Sequence, residues 1–261
     1  MRKIFLLIIL SQLCLASFAQ RARTTRKEEK RKRISSIVKK EEDGVIVYHH
    51  QLVFGGKLAT DGYGGFIEYG RSKSVKKSIL FQLDISEKKS NKEDKQTNLA
   101  NFGSTPVIYG KENYVYPIKL GVQFQNLLGN KSNKNGVSVT ANYGGGLSMA
   151  LVRPYLVQVI KNSNVTYVGY NSPDSNLFLD NHSIIGGPSF GSGWSQAKVT
   201  PGIYGKTALR FDYGTYNEVV SALEVGLTAE LYSKNVPIMV YAKPRKFFFS
   251  AYAAIMFGKR K

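Results

Sequence analysis

Val137 to Leu151 reads VSVTANYGGGLSMAL, with a period of two. Val137, Val139, Ala141, Tyr143, Leu147, Met149 and Leu151 fall on one face of an extended chain. Ser138, Thr140, Asn142, Gly144, Gly146, Ser148 and Ala150 fall on the other. A strand with one apolar face and one face of small polar residues is the stave of a narrow barrel.

The same alternation predicts strands on either side. The first spans about Gln51 to Ala59 and meets the second, Tyr63 to Arg71, at the tight turn Thr60-Asp61-Gly62. The third, Lys77 to Ser86, puts Ile79, Phe81, Leu83 and Ile85 outward and Ser78, Leu80, Gln82 and Asp84 inward. The fourth, Tyr114 to Gln125, puts Ile118, Leu120, Val122 and Phe124 outward and Lys119, Gly121, Gln123 and Gln125 inward. After the stave quoted above come Tyr204 to Tyr213, Val219 to Tyr232 and a last strand, Phe247 to Phe257, that is apolar on both faces. The predicted fold is all-β: an eight-stranded antiparallel up-and-down transmembrane β-barrel over 50–261, with both ends on one side. Its long connections are Glu87 to Asn113, Val152 to Ile203 and Lys234 to Lys246. Val152 to Ile203 is expected to be the longest irregular stretch, with Tyr155 to Ile160 extending the fifth strand. Short turns at one end and long loops at the other are the asymmetry of outer-membrane barrels.

A soluble barrel would show the same alternation with the faces exchanged. The polar face here is built from Gly, Ser, Thr, Ala, Asn and Gln, which suit a packed interior, whereas a face in water would carry many Lys and Glu. After the first twenty residues no apolar run is long enough to span a bilayer as a helix, so spanning requires a closed barrel.

Residues 1–20, MRKIFLLIILSQLCLASFAQ, have the form of a secretory signal: Arg2 and Lys3, an apolar core from Ile4 to Leu10, then small residues to a cleavage site near Ala19. Leu13 before Cys14 argues against lipid attachment, and the chain after the signal contains no cysteine. Removing Arg2 and Lys3 from 37 basic residues leaves 35 against 18 acidic, a net charge of +17. An exported basic chain meets anionic lipid, lipopolysaccharide or an acidic protein rather than nucleic acid. The expected location is the outer membrane of a Gram-negative bacterium.

Residues 21–49 form a charged periplasmic segment, and Arg21 to Asp43 alone holds ten basic and five acidic residues. Thr25 with Glu28 fits a capping box, Glu28 with Lys32 and Glu29 with Arg33 are helical pairs, and Ile34, Ile37 and Val38 make a short apolar stripe. A solvated linker and a docking helix for a periplasmic partner or the inner leaflet are both open readings, and the expected protein partner of the whole chain is a periplasmic or outer-membrane one.

From His50 to Lys261 the chain resembles the small outer-membrane β-barrel proteins of Bacteroidota-type bacteria, whose last strands similarly end in an aromatic residue, a glycine and a basic tail, here MFGKRK at Met256 to Lys261. Members of that group include adhesion and stress proteins and accessory parts of secretion and assembly machines. The resemblance therefore implies a structural or interaction role without assigning any residue to it.

Alternation carries Lys57, Lys119 and Arg210 into the lumen with Glu68, Asp84, Asp212, Glu224 and Glu230. Five carboxylates against three cations would leave some acid to be hydrogen-bonded by Gln82, Gln123 and Tyr252. An eight-stranded barrel is filled by its own side chains, so a charge network that plugs it is preferred over a narrow channel. The third external loop brings Asp180, His182 and Ser183 together with Trp194, Ile184, Ile185 and Phe190. These supply the residue types of a rim-located lipid-modifying enzyme, although neighbours in sequence rarely assemble a triad. His49 and His50 point to opposite faces of a strand, and no metal site or cofactor is expected. The basic groups Lys73, Lys76, Lys77, Lys259, Arg260 and Lys261 at the inner rim, and Lys243, Arg245 and Lys246 at the outer, suit headgroup phosphates.

Overall fold

The computed structural model describes residues 28, 29, 32, 35, 36, 48–96, 105–131, 136–161, 163–180, 182–189, 191–214 and 219–261. The chain divides into two units, Met1–Tyr48 and His49–Lys261. In the first, residues 28, 29, 32, 35 and 36 are helical and exposed, and the Ser35 hydroxyl donates to the Lys32 carbonyl at 2.9 Å. The signal at 1–20 and the expected helix residues Thr25, Arg33, Ile34, Ile37 and Val38 lie outside the described residues.

The second unit contains the strands β1 (His50–Ala59), β2 (Gly62–Ser74), β3 (Lys77–Lys88), β4 (Lys95–Gln96), β5 (Val107–Ile108), β6 (Asn113–Gly129), β7 (Ser138–Pro154), β8 (Leu156–Lys161), β9 (Asn164–Gly169), β10 (Ile184–Gly186), β11 (Lys198–Asp212), β12 (Val219–Val236) and β13 (Arg245–Arg260). Eight of them close an antiparallel barrel in the order β1-β13-β12-β11-β7-β6-β3-β2. β13 pairs with β1 from Gln51↔Arg260 to Ala59↔Tyr252, so the barrel has no free edge.

The pleat decides which way the barrel faces. Leu58, Leu120 and Leu147 are 60% exposed or more, while Glu68, Gln123 and Glu224 are 0% exposed. Outward positions carry Leu, Ile, Val and Phe around the whole circumference, and inward positions carry the acids, amides and amines. Water rewards the opposite arrangement; hydrocarbon rewards this one, because each buried backbone group is already paired within the ring.

Inside, glycine makes room for rings. A Cβ at Gly121 would lie 2.5 Å from the Tyr204 hydroxyl, one at Gly226 would lie 2.7 Å from that of Tyr252, and one at Gly55 would lie 2.7 Å from Phe66. Opposite these small positions the aromatic side chains cross the lumen. Val53, Phe66, Val220, Ala222, Ala254 and Met256 pack together toward the chain termini, while Val115, Ala150, Val152, Tyr232 and Val236 close the other end.

Val152 to Ile203 is not irregular, which corrects the expectation from sequence. β7 ends at Pro154, and Leu156 to Lys161 does not prolong it; that segment turns back as a hairpin with β9 in a separate sheet of order β10-β8-β9. The cause is a second apolar face: Val157, Val159 and Val168 pack on Ile108, Tyr155, Phe178 and Ile184, a core of their own. The other long connections are woven into it. The Ile108 N–H donates to the Tyr155 hydroxyl at 2.8 Å and the Thr105 hydroxyl to the Gly187 carbonyl at 2.9 Å. The Glu112 N–H donates to Ile238 O and the Val240 N–H to Gly110 O, each at 2.9 Å. The described residues within 89–112, 155–197 and 237–244 thus build one folded cap at one mouth of the barrel. The opposite mouth has short turns, as at 75–76 between β2 and β3.

Gly121→Val and Gly226→Val should each destabilise the barrel by about 1–3 kcal/mol, the usual cost of overpacking. Gly56→Ala, where a Cβ meets nothing within 4 Å, should be neutral. The temperature at which the compact gel band converts to the unfolded one measures the difference.

Candidate functional site

Inward alternation on all eight barrel strands assembles a network of charged and polar groups along the lumen. Arg210 on β11 donates Nη1 and Nη2 to the two carboxylate oxygens of Glu68 on β2, at 2.8 and 2.7 Å, and Nε to Glu224 on β12 at 2.9 Å. The other Glu224 oxygen accepts from Lys206 at 2.7 Å and from the Tyr252 hydroxyl at 2.7 Å, and Asn142 reaches Oε2 at 3.0 Å. Toward the cap, Asp84 lies between Lys57, its direct partner, and Lys119 at 3.7 Å. Lys119 continues to Glu230 at 2.8 Å, Glu230 accepts from the Tyr232 hydroxyl at 2.7 Å, and Lys88 joins Glu230 at 3.3 Å to Asp61 of the first turn. Toward the termini, Asp212 is held by Arg260 at 2.7 Å, Lys131 at 3.4 Å and the Gly214 N–H at 2.9 Å.

All the lumen charges read from the sequence therefore lie inside, but the expected surplus of acid does not exist. Lys206, Lys88, Lys131 and Arg260 also point in, and each carboxylate named above has a cation against it. Lys206 shares the parity of Ala208 and Arg210, so period two alone could have found it. Lys88 and Arg260 were hidden because β3 runs two residues and β13 three residues past their expected ends, and Lys131 reaches in from a turn.

Gln82 links the two halves: it accepts from Lys206 at 3.1 Å and from the Gln123 amide. The voids beside this chain, one lined by Lys88, Lys119, Glu230 and Tyr252 and one by Gln82, Asp84, Tyr204 and Lys206, are each about the size of one water molecule. Side chains fill the bore. Arg210 with its two glutamates lies in a site from which water is excluded, so its value rests on geometry and full hydrogen bonding rather than on charge alone.

In the cap, Asp180, His182 and Ser183 are neighbours but do not form a relay. The Ser183 hydroxyl donates to Asp180 Oδ2 at 2.5 Å and the His182 N–H to Oδ1 at 3.1 Å, a local turn. The Ser183 hydroxyl, and then that N–H, hold the Asp180 carboxyl below its ordinary range. The His182 ring is fully exposed and lies 3.6 Å from Asp180, so the imidazole is turned to the acid and to solvent rather than to the serine. Trp194 stacks on Tyr116 at 5.8 Å, with the Arg153 guanidinium 4.7 Å over its ring, Ile184 is buried in the cap core, and Phe190 lies outside the described residues. His50 stacks on Tyr69 and bonds its hydroxyl at 2.9 Å. Among the described residues no group of three or more His, Cys, Asp or Glu is placed to hold a metal.

The cap offers one feature the sequence reading missed, an open sheet edge. In the order β10-β8-β9 the β10 side is covered by Thr105 and Gly187, whereas β9 is terminal, and Asn164, Val165, Thr166 and Tyr167 are all exposed. Ile160, Val165 and Tyr167 stand on one face at 57%, 59% and 44% exposure. The β8–β9 register is continuous, and β9, NVTYVG, has no charge, proline or bulge. Those are the devices by which proteins guard an edge. The signal was present: VQVI and VTYV alternate around the turn residues Lys161 to Asn164.

No family model matches the sequence, and no curated protein matches it. Among solved structures, the chain is similar to the N-terminal β-barrel domain of Pseudomonas aeruginosa OprF, at 10% identity and TM-score 0.36, covering 82% of this chain and 98% of that one. It is similar to Neisserial surface protein A at 12% identity and TM-score 0.34, covering 82% and 95%. It is also similar to Ail, the attachment invasion locus protein of Yersinia pestis, seen in complex with the heparin analogue sucrose octasulfate, at 6% identity and TM-score 0.37, covering 82% and 100%. These superpositions are loose, and the reading of function below rests on the residues of this chain.

Arg210→Met strands Glu68, 0% exposed, while Glu224 keeps Lys206, and should cost about 3–5 kcal/mol in urea unfolding from detergent micelles. The double replacement Arg210→Met, Glu68→Gln should recover a large part of that loss, because Glu224 stays paired with Lys206 and no charge is then left buried alone.

Proposed function

We propose that this chain is a non-enzymatic outer-membrane barrel of a Gram-negative envelope, exported on the leader at 1–20, with both barrel ends in the periplasm and the cap outside. The filled barrel is a rigid stem, and the cap is the working surface: its β9 edge takes an extended segment of a partner protein by strand addition. The unguarded edge beside Ile160, Val165 and Tyr167 carries this reading. Main-chain hydrogen bonds to alternate residues of β9 would supply affinity, and the apolar face would select the side chains that follow. An accessory subunit of an envelope assembly or secretion machine is the class of protein that uses such a surface. A lipid-modifying activity lacks support in the loop geometry, since the Ser183 hydroxyl donates its hydrogen bond to Asp180 and not to His182. A narrow channel lacks it in the bore, which side chains occupy.

A photo-crosslinking amino acid at Tyr167, activated on intact cells of the native host, should join the barrel to one protein. Val165→Pro, which removes a donor that points away from β8 at the open edge, should abolish that product without lowering the amount of barrel in the membrane. A product unchanged by Val165→Pro would contradict the β9 reading.

A further inference from the structure

Among the described residues, the turn end of the barrel carries its exposed outward cations on one side. Outward positions of β13, β1, β2 and β3 present Lys259, His50, Arg71, Lys73 and Lys77, all exposed. The register places them in a row: Lys259 opposite Leu52, His50 opposite Arg71, Arg71 opposite Ile79, and Lys77 opposite Ser74. Neighbouring strands are about 4.8 Å apart, so these amines and the guanidinium span on the order of 15–20 Å of circumference. Among the described residues none of Arg71, Lys73, Lys77 and Lys259 is within salt-bridge distance of a carboxylate. They stand in contrast to Arg260 and Lys131, which turn inward to Asp212.

One step toward the middle of the barrel, the same faces carry Phe257, Phe54, Tyr69 and Phe81, all exposed. Across the barrel, the described outward residues at this level are Asn126, Leu128, Val137, Tyr213 and Val219, with no charge among them. Exposed aromatic residues continue around the barrel at Phe124, Tyr143 and Phe211, but among the described residues the cations below them lie on one side, where the surface has an apolar half and an anion-seeking half.

We infer that this crescent is a binding site for an anionic phospholipid of the inner leaflet, its phosphodiester held by Arg71, Lys73, Lys77 and Lys259 and its acyl chains against Phe54, Phe81 and Phe257. The inference rests on the membrane reading given above. Direction selects lipid over an acidic protein. The four side chains project from the strand face that carries the lipid-facing apolar residues, whereas a periplasmic protein would meet cations aimed along the barrel axis. A fixed phosphate before four unpaired cations, three Lys and one Arg, combines point charges with a planar fork able to bond two oxygens at once. Attraction of this kind amounts to several-fold per basic residue near the headgroups.

The full chain is inserted into vesicles of equal phosphatidylglycerol and phosphatidylcholine with matched acyl chains, then released into the mass spectrometer with its bound lipids. Phosphatidylglycerol should be retained over phosphatidylcholine by on the order of tenfold. The variant R71Q/K73Q/K77Q/K259Q should lose that preference, while K89Q/K92Q/K95Q/K243Q at the cap end should keep it. Equal retention of both lipids by the unaltered chain, or the same loss in both variants, would overturn the inference. Equal lipid retention with the first variant losing only its affinity for a polyglutamate peptide would assign the crescent to an acidic protein and equally overturn it. Insertion is read separately, from the heat-dependent gel shift in pure phosphatidylcholine vesicles. A chain that inserts into no vesicle would refute the membrane reading itself.

Discussion

The guanidinium of Arg210, held between the carboxylates of Glu68 and Glu224, is the contact on which the barrel depends. Three strands, β2, β11 and β12, meet at this one group, and β13 joins through the Tyr252 hydroxyl on Glu224. A ring of eight strands leaves a bore that side chains must fill, and an apolar outside forces the polar half of each strand into it. Every inward charge then needs an inward partner. From Asp61 near the cap to Arg260 near the termini, the acids and bases alternate closely enough to satisfy that requirement. The network sets the register of the strands as much as the backbone ladder does, because a slip of one residue would turn these charges outward.

Glycine and tyrosine settle the remaining space. Tyr204 and Tyr252 are too large for a bore lined by Cβ atoms on all sides, and Gly121 and Gly226 lie where their hydroxyls come to rest. A barrel filled in this way is a stiff support. The stiffness matters for the cap, whose core of Val157, Val159, Val168, Tyr155 and Phe178 is tied to the barrel by strands continuing out of it and by backbone bonds among three connections. An open edge on a rigid base loses little freedom when it accepts a partner strand. At the other end, cations on one side under an aromatic row orient the barrel toward charged lipid without any moving part.

The barrel was legible because each of its strands has two unlike faces. Period two in Ile79 to Asp84 or Leu223 to Glu230 states at once that a strand exists and which residues look inward, and the structure places these as read. Lengths were less legible. The ladder of β12 extends to Val236 and that of β6 starts at Asn113, since strands continue past the apolar belt wherever a loop can pair with them. The cap was largely missed. Its strands are six residues or fewer, and their apolar faces meet partners far along the chain, as Val157 meets Ile108. Nothing local reveals that Thr105 will bond Gly187. In the lumen, Lys206 was available to the period-two rule, whereas Lys131 enters from a turn with no period to read. For Asp180, His182 and Ser183, residue types suggested chemistry that geometry removes: a short Asx-type turn uses the same carboxylate that a relay would need.

The central claim is that Leu120, Leu147, Leu209 and Leu227 face hydrocarbon while the charges face in. The most direct measurement places one spin label at a time at these four sites, in the Cys14→Ser background and in vesicles, and compares collision rates with oxygen and with a water-soluble nickel complex. The account predicts collisions dominated by oxygen at all four, and by nickel at Lys161 in the cap. Nickel collisions at Leu147 and Leu227 equal to those at Lys161 would contradict it, because the apolar face would then be in water.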